Sequence, residues 1–274
     1  MAILTETILK PAAFGGYLAR PDRAAGPLPG ILVLQEAWGV DAHIEDVTRR
    51  FAAAGYVALA PDLFADPQAG RRPEPLGRER MTELLAFMDA SPPTVFSDPA
   101  AREAALAKLP EDQRARVAES LGALTAVMAP GRREAQLGIV RAAASYLREE
   151  QAETRGGKLG AVGFCLGGTL SALLACRDPD LGAAVVFYGG PPPVEELPQI
   201  RCPVLGFFGG RDQRITSQVP ALVEAMGSAG KRFERVVYDG AGHAFFNDGR
   251  PAYDVAAARD AFARTLAFLR DTLT

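Results

Sequence analysis

Cys165, Asp212, His243 and Glu36 are the side chains whose types and spacing suit nucleophilic chemistry. Cys165 sits in Gly163-Phe164-Cys165-Leu166-Gly167-Gly168, after the apolar run Leu159–Phe164 and before the small-residue helical run Thr169–Cys176. A strand, a sharp turn and a helix with G-x-C-x-G at the turn form a nucleophile-elbow pattern, with cysteine in place of the usual serine. The turn residue is held in a strained backbone conformation, and the glycines let strand and helix approach closely. Such a turn puts the sulfur at a helix N-terminus, where backbone N–H groups favour negative charge. Asp212 ends Gly209-Gly210-Arg211-Asp212 and His243 ends Gly240-Ala241-Gly242-His243. The order is nucleophile, acid, base. A thiolate attacks an acyl carbon, an imidazole moves the proton to the leaving group, and a carboxylate fixes the imidazole tautomer. Glu36 follows a buried run directly, where a carboxylate is costly unless paired or wet. It is either the partner of an arginine from the insertion described below or a second base beside Cys165.

The elements that must position these groups read as an alternation of strands and helices. Residues Glu6–Arg20, broken at Gly15-Gly16, predict an antiparallel hairpin or pair of edge strands. Gly30–Gln35, Tyr56–Ala60, Leu159–Phe164, Gly182–Tyr188 and Pro203–Phe208 are short apolar runs expected as buried, parallel strands, with Phe233–Tyr238 the last strand. Helices are expected from about Asp41 to Gly55, over Arg133–Glu150, Ser217–Gly227 and Ala256–Leu273. Between Asp66 and Arg133 the character shifts to proline, arginine and alanine. This stretch reads as a helical insertion, with helices near Glu79–Ala90 and Asp112–Ala126 joined by irregular Ser91–Pro99. It is either a surface excursion or a lid over the site. The alternation predicts one α/β domain over residues 1–274: a mostly parallel sheet with helices on both faces and the insertion at 66–133. Ligands bind at the carboxyl ends of such strands, where all four candidate residues fall.

The chain has 274 residues, is 48 % hydrophobic and carries a net charge of −3. It has no basic patch of note, since Arg71-Arg72 and Arg132-Arg133 are short pairs expected to be solvated, and no apolar run long enough to span a bilayer. Neither a nucleic-acid nor a membrane partner is expected. Three widely spaced cysteines give no disulfide framework and no zinc or other metal site; Cys176 and Cys202 read as packing residues, and a reducing cytoplasm fits. Met1–Lys10 lacks a signal-peptide layout. His43, on the first turn of a helix, reads as a surface or capping residue, and Asp62 as a turn carboxylate.

Together, Leu34-Gln35-Glu36-Ala37-Trp38-Gly39-Val40, Ala58-Leu59-Ala60-Pro61-Asp62-Leu63, Val162-Gly163-Phe164-Cys165-Leu166-Gly167-Gly168, Gly209-Gly210-Arg211-Asp212 and Gly242-His243-Ala244-Phe245 resemble the dienelactone hydrolase (carboxymethylenebutenolidase) family of the α/β-hydrolase superfamily. The resemblance covers about Pro29–Phe64 and Arg133–Leu273. It implies a lactone or small carboxylic ester as substrate, a Cys165–His243–Asp212 triad working through a thioester, and no cofactor. It further implies that Glu36 is held away from the thiol until substrate binds, and that the Leu166 and Ala37 amides form the oxyanion hole. Family members place an arginine shortly after the histidine to hold a substrate carboxylate. Here Phe246-Asn247-Asp248 follows, and the nearest arginine is Arg250. Arg78 and Arg80 are candidates for a second such arginine, and Trp38, Tyr188 and Phe245 for apolar walls. A general carboxylesterase or thioesterase, a non-catalytic binding protein retaining the fold, and a redox-sensing thiol are the rival readings.

Overall fold

The computed structural model describes residues 2–10, 12–23, 26–66, 71–96 and 98–274. Residues 67–70 and 97 of the insertion lie outside the described set. Among these described residues, eight strands form one sheet in the order β1-β2-β4-β3-β5-β6-β7-β8. They are β1 Ile3–Lys10, β2 Phe14–Pro21, β3 Gly30–Leu34, β4 Val57–Pro61, β5 Leu159–Phe164, β6 Ala183–Phe187, β7 Val204–Gly209 and β8 Phe233–Tyr238. β2 runs antiparallel to both β1 and β4, and every pairing from β4 to β8 is parallel.

The continuous apolar runs of β3 to β7 are buried on both faces, as strands covered by helices must be. Side chains alternate between two cores. Ile31 and Val33 pack with α1 (Ala42–Ala53) and α9 (Val255–Leu273), and Leu32 and Leu34 with α5 (Arg133–Ser145) and α6 (Leu166–Arg177). α1 is capped by Asp41, whose carboxylate accepts from the Ile44 amide at 2.9 Å. Arg133–Glu150 keeps its amphipathic face, but its last five residues, Tyr146–Glu150, widen into a π turn.

Two sequence expectations need correction. The β1–β2 hairpin does not turn at Gly15-Gly16. Gly16 lies inside β2, opposite Ile8 on one side and Pro61 on the other. A Cβ there would sit 2.6 Å from the Ala60 carbonyl oxygen, so the glycine serves a close strand approach. In the insertion, α2 (Arg78–Asp89) and α4 (Glu111–Met128) form where expected, and a further helix, α3 (Pro99–Leu106), follows the irregular stretch, capped by Asp98. The insertion adds Leu76, Met81, Leu84, Val117, Leu121 and Leu124 to the core shared with α5 and α6. A short α7 (Gln213–Thr216) and α8 (Val219–Ser228) follow β7.

Candidate active site

Cys165 links β5 to α6 with φ 53° and ψ −109°. Non-glycine residues resist positive φ, and this strain is sustained by the packing around it. A Cβ at Gly163 would fall 1.9 Å from the Gly167 carbonyl oxygen, and one at Gly167 would fall 2.1 Å from that of Leu34. No larger residue fits at either place. The Cys165 amide donates to the Phe187 carbonyl at 3.0 Å, and the Gly167 amide to the Gln35 carbonyl at 3.0 Å. The elbow is therefore stitched to β6 and to the end of β3. The second bond draws the Glu36–Ala37 loop against the first residue of α6, Leu166.

Asp212 follows β7 and is buried. Its loop is tied to that of His243 by the Arg211 amide, which donates to the Ala241 carbonyl at 3.0 Å. His243 Nδ1 donates to Asp212 Oδ2 at 2.5 Å, and the imidazole lies near enough to Cys165 to interact with its charge. Burial opposes charge on His243, yet the hydrogen bonds and charges of Asp212 and Cys165 outweigh it and raise its pKa to about 10. An unfolded imidazole titrates near about 6.5. Folding thus takes up a proton at His243 between those values. Its contribution to stability is complete below about pH 6.5 and is lost as pH rises through about 10. In urea unfolding, the wild type is expected to lose more stability between about pH 7 and about pH 10.5 than His243→Gln does. Equal losses in the two proteins would contradict this linkage.

Glu36 is buried, and among the described residues neither carboxylate oxygen meets an arginine, contrary to one of the two sequence readings. The Tyr188 hydroxyl donates to Oε1 at 2.8 Å and the Asn247 amide to Oε2 at 2.7 Å. Tyr188 follows β6 at φ 40°, and Ala244, after His243, adopts φ 61°. Of the four described non-glycine residues at positive φ, three thus stand at this edge of the sheet. Burial, and then the Glu36 carboxylate, push the Tyr188 hydroxyl well above its ordinary range, so it remains a donor.

Several expected substrate contacts are corrected. Phe245 is fully buried, and Tyr188 is fully buried with its ring centroid 5.1 Å from that of His243 in an edge-on arrangement, so neither is an open wall. Trp38 is partly buried, with the Arg250 guanidinium 4.8 Å over its ring; Arg250 also pairs with Asp89 of α2 at 2.9 Å. Arg78 is engaged by Glu45 and the Val40 carbonyl. Arg80 is held by Glu74, Glu119, Ser120 and the Arg116 carbonyl, between α2 and α4. Both guanidiniums are therefore committed to structural contacts. Asp62 is a turn carboxylate as expected, accepting from the Phe64 amide and from Arg72. His43 is buried rather than superficial.

An arginine near enough to Cys165 to interact with its charge is Arg133, at the first residue of α5, which the sequence placed in a solvated pair. It is half-buried and donates to Gln136 at 2.9 Å, and no carboxylate pairs with it among the described residues. Burial lowers its pKa, and the neighbouring Cys165 offsets part of that effect. Two adjacent arginines carry no sequence signal for which one turns inward. No helix among the described residues is long and apolar enough to cross a membrane.

Known proteins resemble this chain over almost its whole length. The model of the dienelactone hydrolase family matches residues 14–273. A protein of Saccharolobus solfataricus, provisionally named a carboxymethylenebutenolidase, is 34% identical over 94% of this chain and 94% of its own. A protein of Bradyrhizobium sp, provisionally named a 2-oxo-3-(5-oxofuran-2-ylidene)propanoate lactonase, is 31% identical over 93% of this chain and 88% of its own. A crystal structure of a provisionally named dienelactone hydrolase from Klebsiella pneumoniae superposes with a TM-score of 0.69 at 28% identity, covering 98% of this chain and 99% of that one. With the α/β-hydrolase sheet and this edge constellation, the chain belongs to the dienelactone hydrolase family.

Proposed function

We propose that the protein hydrolyses a lactone or small carboxylic ester through a thioester on Cys165. The observation that carries this reading is Cys165 on a strained elbow beside the hydrogen-bonded His243–Asp212 pair. Cys165 sulfur attacks the acyl carbon, the C–O bond breaks, and His243 delivers its proton to the leaving oxygen. A lactone keeps that hydroxyl tethered, so water must resolve the thioester with His243 as base. The Leu166 and Ala37 amides, drawn together by the Gly167–Gln35 bond, receive the oxyanion. Glu36 is a carboxylate on standby. It reaches the thiol only after giving up Tyr188 or Asn247. The insertion 66–133 covers one side of the site, a reading supported by the Asp89–Arg250 pair stacked on Trp38.

An unpaired, half-buried guanidinium beside the nucleophile favours substrates that carry a carboxylate. Arg133→Met is expected to raise KM for a carboxylate-bearing lactone about tenfold or more and to leave p-nitrophenyl acetate within about twofold. A parallel loss on both substrates would contradict this role. Comparing kcat/KM on lactones and open-chain esters tests the reaction class. A preference for open esters or thioesters would favour a general esterase, and turnover of neither would overturn the hydrolase reading.

A further inference from the structure

His43 Nδ1 donates to Asp248 Oδ1 at 2.8 Å, and Asp248 Oδ2 accepts from Arg50 at 2.7 Å, so two α1 side chains grip one carboxylate. The His43 ring packs edge-on against Phe164, with centroids 6.4 Å apart, and against Phe246, 6.1 Å apart. Phe164 immediately precedes Cys165, and Phe246 immediately precedes Asn247. The Asn247 amide holds Glu36, and its own Oδ1 accepts from the Gly249 amide at 3.0 Å. His43 therefore touches both chain segments that carry the site. Its Nε2 is buried without a hydrogen-bond partner. A buried polar atom left unpaired costs stability, so phenylalanine would suit this spot better on packing alone.

We propose that His43 is a positioning residue that sets Asn247, through Asp248, so that the Asn247 amide keeps Glu36 turned away from Cys165. The catalytic part of this inference rests on the hydrolase reading above, whereas the placement of Glu36 does not. Losing the His43–Asp248 bond lets the 246–249 turn shift and leaves one Glu36 oxygen unheld. A freed carboxylate that reaches the thiol takes its proton, so the thiolate forms before any substrate is bound. The other titratable groups facing Cys165 are His243, Tyr188 and Arg133, and none of them belongs to this link.

The test compares His43→Phe, which keeps the packing and loses the donor, with His43→Asn, whose amide nitrogen stands where ring Nδ1 stood. Asn247→Leu and the double variant His43→Phe/Asn247→Leu complete a cycle. Asp248→Asn, at the solvent side, weakens the same link and guards against misfolding of His43→Phe. The readouts are kcat and KM on p-nitrophenyl acetate, the pH profile of kcat/KM, and the rate of Cys165 alkylation by iodoacetamide, which needs no turnover. Asn247→Leu is expected to raise the alkylation rate of the free enzyme about tenfold with little change in KM. His43→Phe and Asp248→Asn are expected to do so about threefold, moving the lower limb of the pH profile toward lower pH, with His43→Asn within about twofold of wild type. The double variant is expected to match Asn247→Leu alone, because both changes lie on one chain of contacts. Effects that multiply, or a change in thermal stability with alkylation rate and pH profile intact, would overturn the proposal. Wild type inactive on every ester, with the alkylation pattern as described, would remove the hydrolase reading and leave the positioning role standing.

Discussion

Replacing Cys165 with alanine is expected to lower kcat/KM on any substrate of this protein by about 10⁴-fold or more. The size follows from what is lost. In the proposed mechanism the sulfur is the group that bonds the acyl carbon, and neither His243 nor Glu36 stands in the elbow to take its place. What survives in that mechanism is the electrostatic part, the amides of Leu166 and Ala37 and the binding contacts, which elsewhere retain only about 10³-fold to 10⁴-fold catalysis over water. The fold is expected to persist, because alanine meets no tighter steric limit at φ 53° than cysteine does. An unchanged circular dichroism spectrum with lost turnover separates chemistry from folding. Activity near wild type in Cys165→Ala would exclude the thioester route.

Asp212→Asn is the second large effect, with kcat expected to fall about 10⁴-fold at nearly constant KM. Asp212 is buried and its Oδ2 lies 2.5 Å from His243 Nδ1. An amide of the same shape can donate to Nδ1, which leaves the proton on the other nitrogen, facing the sulfur, where the base must be free. It also removes a charge that, with Cys165, raises the His243 pKa to about 10 against the opposing effect of burial. The imidazolium that accompanies the thiolate is then less stable, and the high-pH limit of stability contributed by His243 moves down. A loss below about tenfold would mean that Asp212 is no more than a turn residue.

The elbow was legible because its demand is steric. Only glycine tolerates a carbonyl oxygen 1.9 Å from where its Cβ would be, and the fully buried strands before it leave continuous apolar runs. The order Cys165, Asp212, His243 at three strand ends followed from that alternation. What stayed hidden depended on partners distant in sequence. Gly16 looked like a turn because β4, which crowds it at Ala60, lies far along the chain. Nothing local separates Arg133, which lies near Cys165, from Arg132 beside it. The fates of Arg78 and Arg80 were set by Glu45 of α1 and Glu119 of α4. His43 read as superficial because its partner, Asp248, is 205 residues away. The holders of Glu36, Tyr188 and Asn247, were invisible for the same reason, since both come from other strand ends.

Intact-protein mass, recorded during turnover of a dienelactone, simple lactones and p-nitrophenyl acetate, tests the nucleophile without assuming a substrate. The wild type is expected to show a transient gain equal to the acyl group, mapped to Cys165, that decays as product appears, and Cys165→Ala is expected to show neither. Product formed by Cys165→Ala at the wild-type rate, or an adduct on another residue that keeps pace with turnover, would contradict the cysteine mechanism.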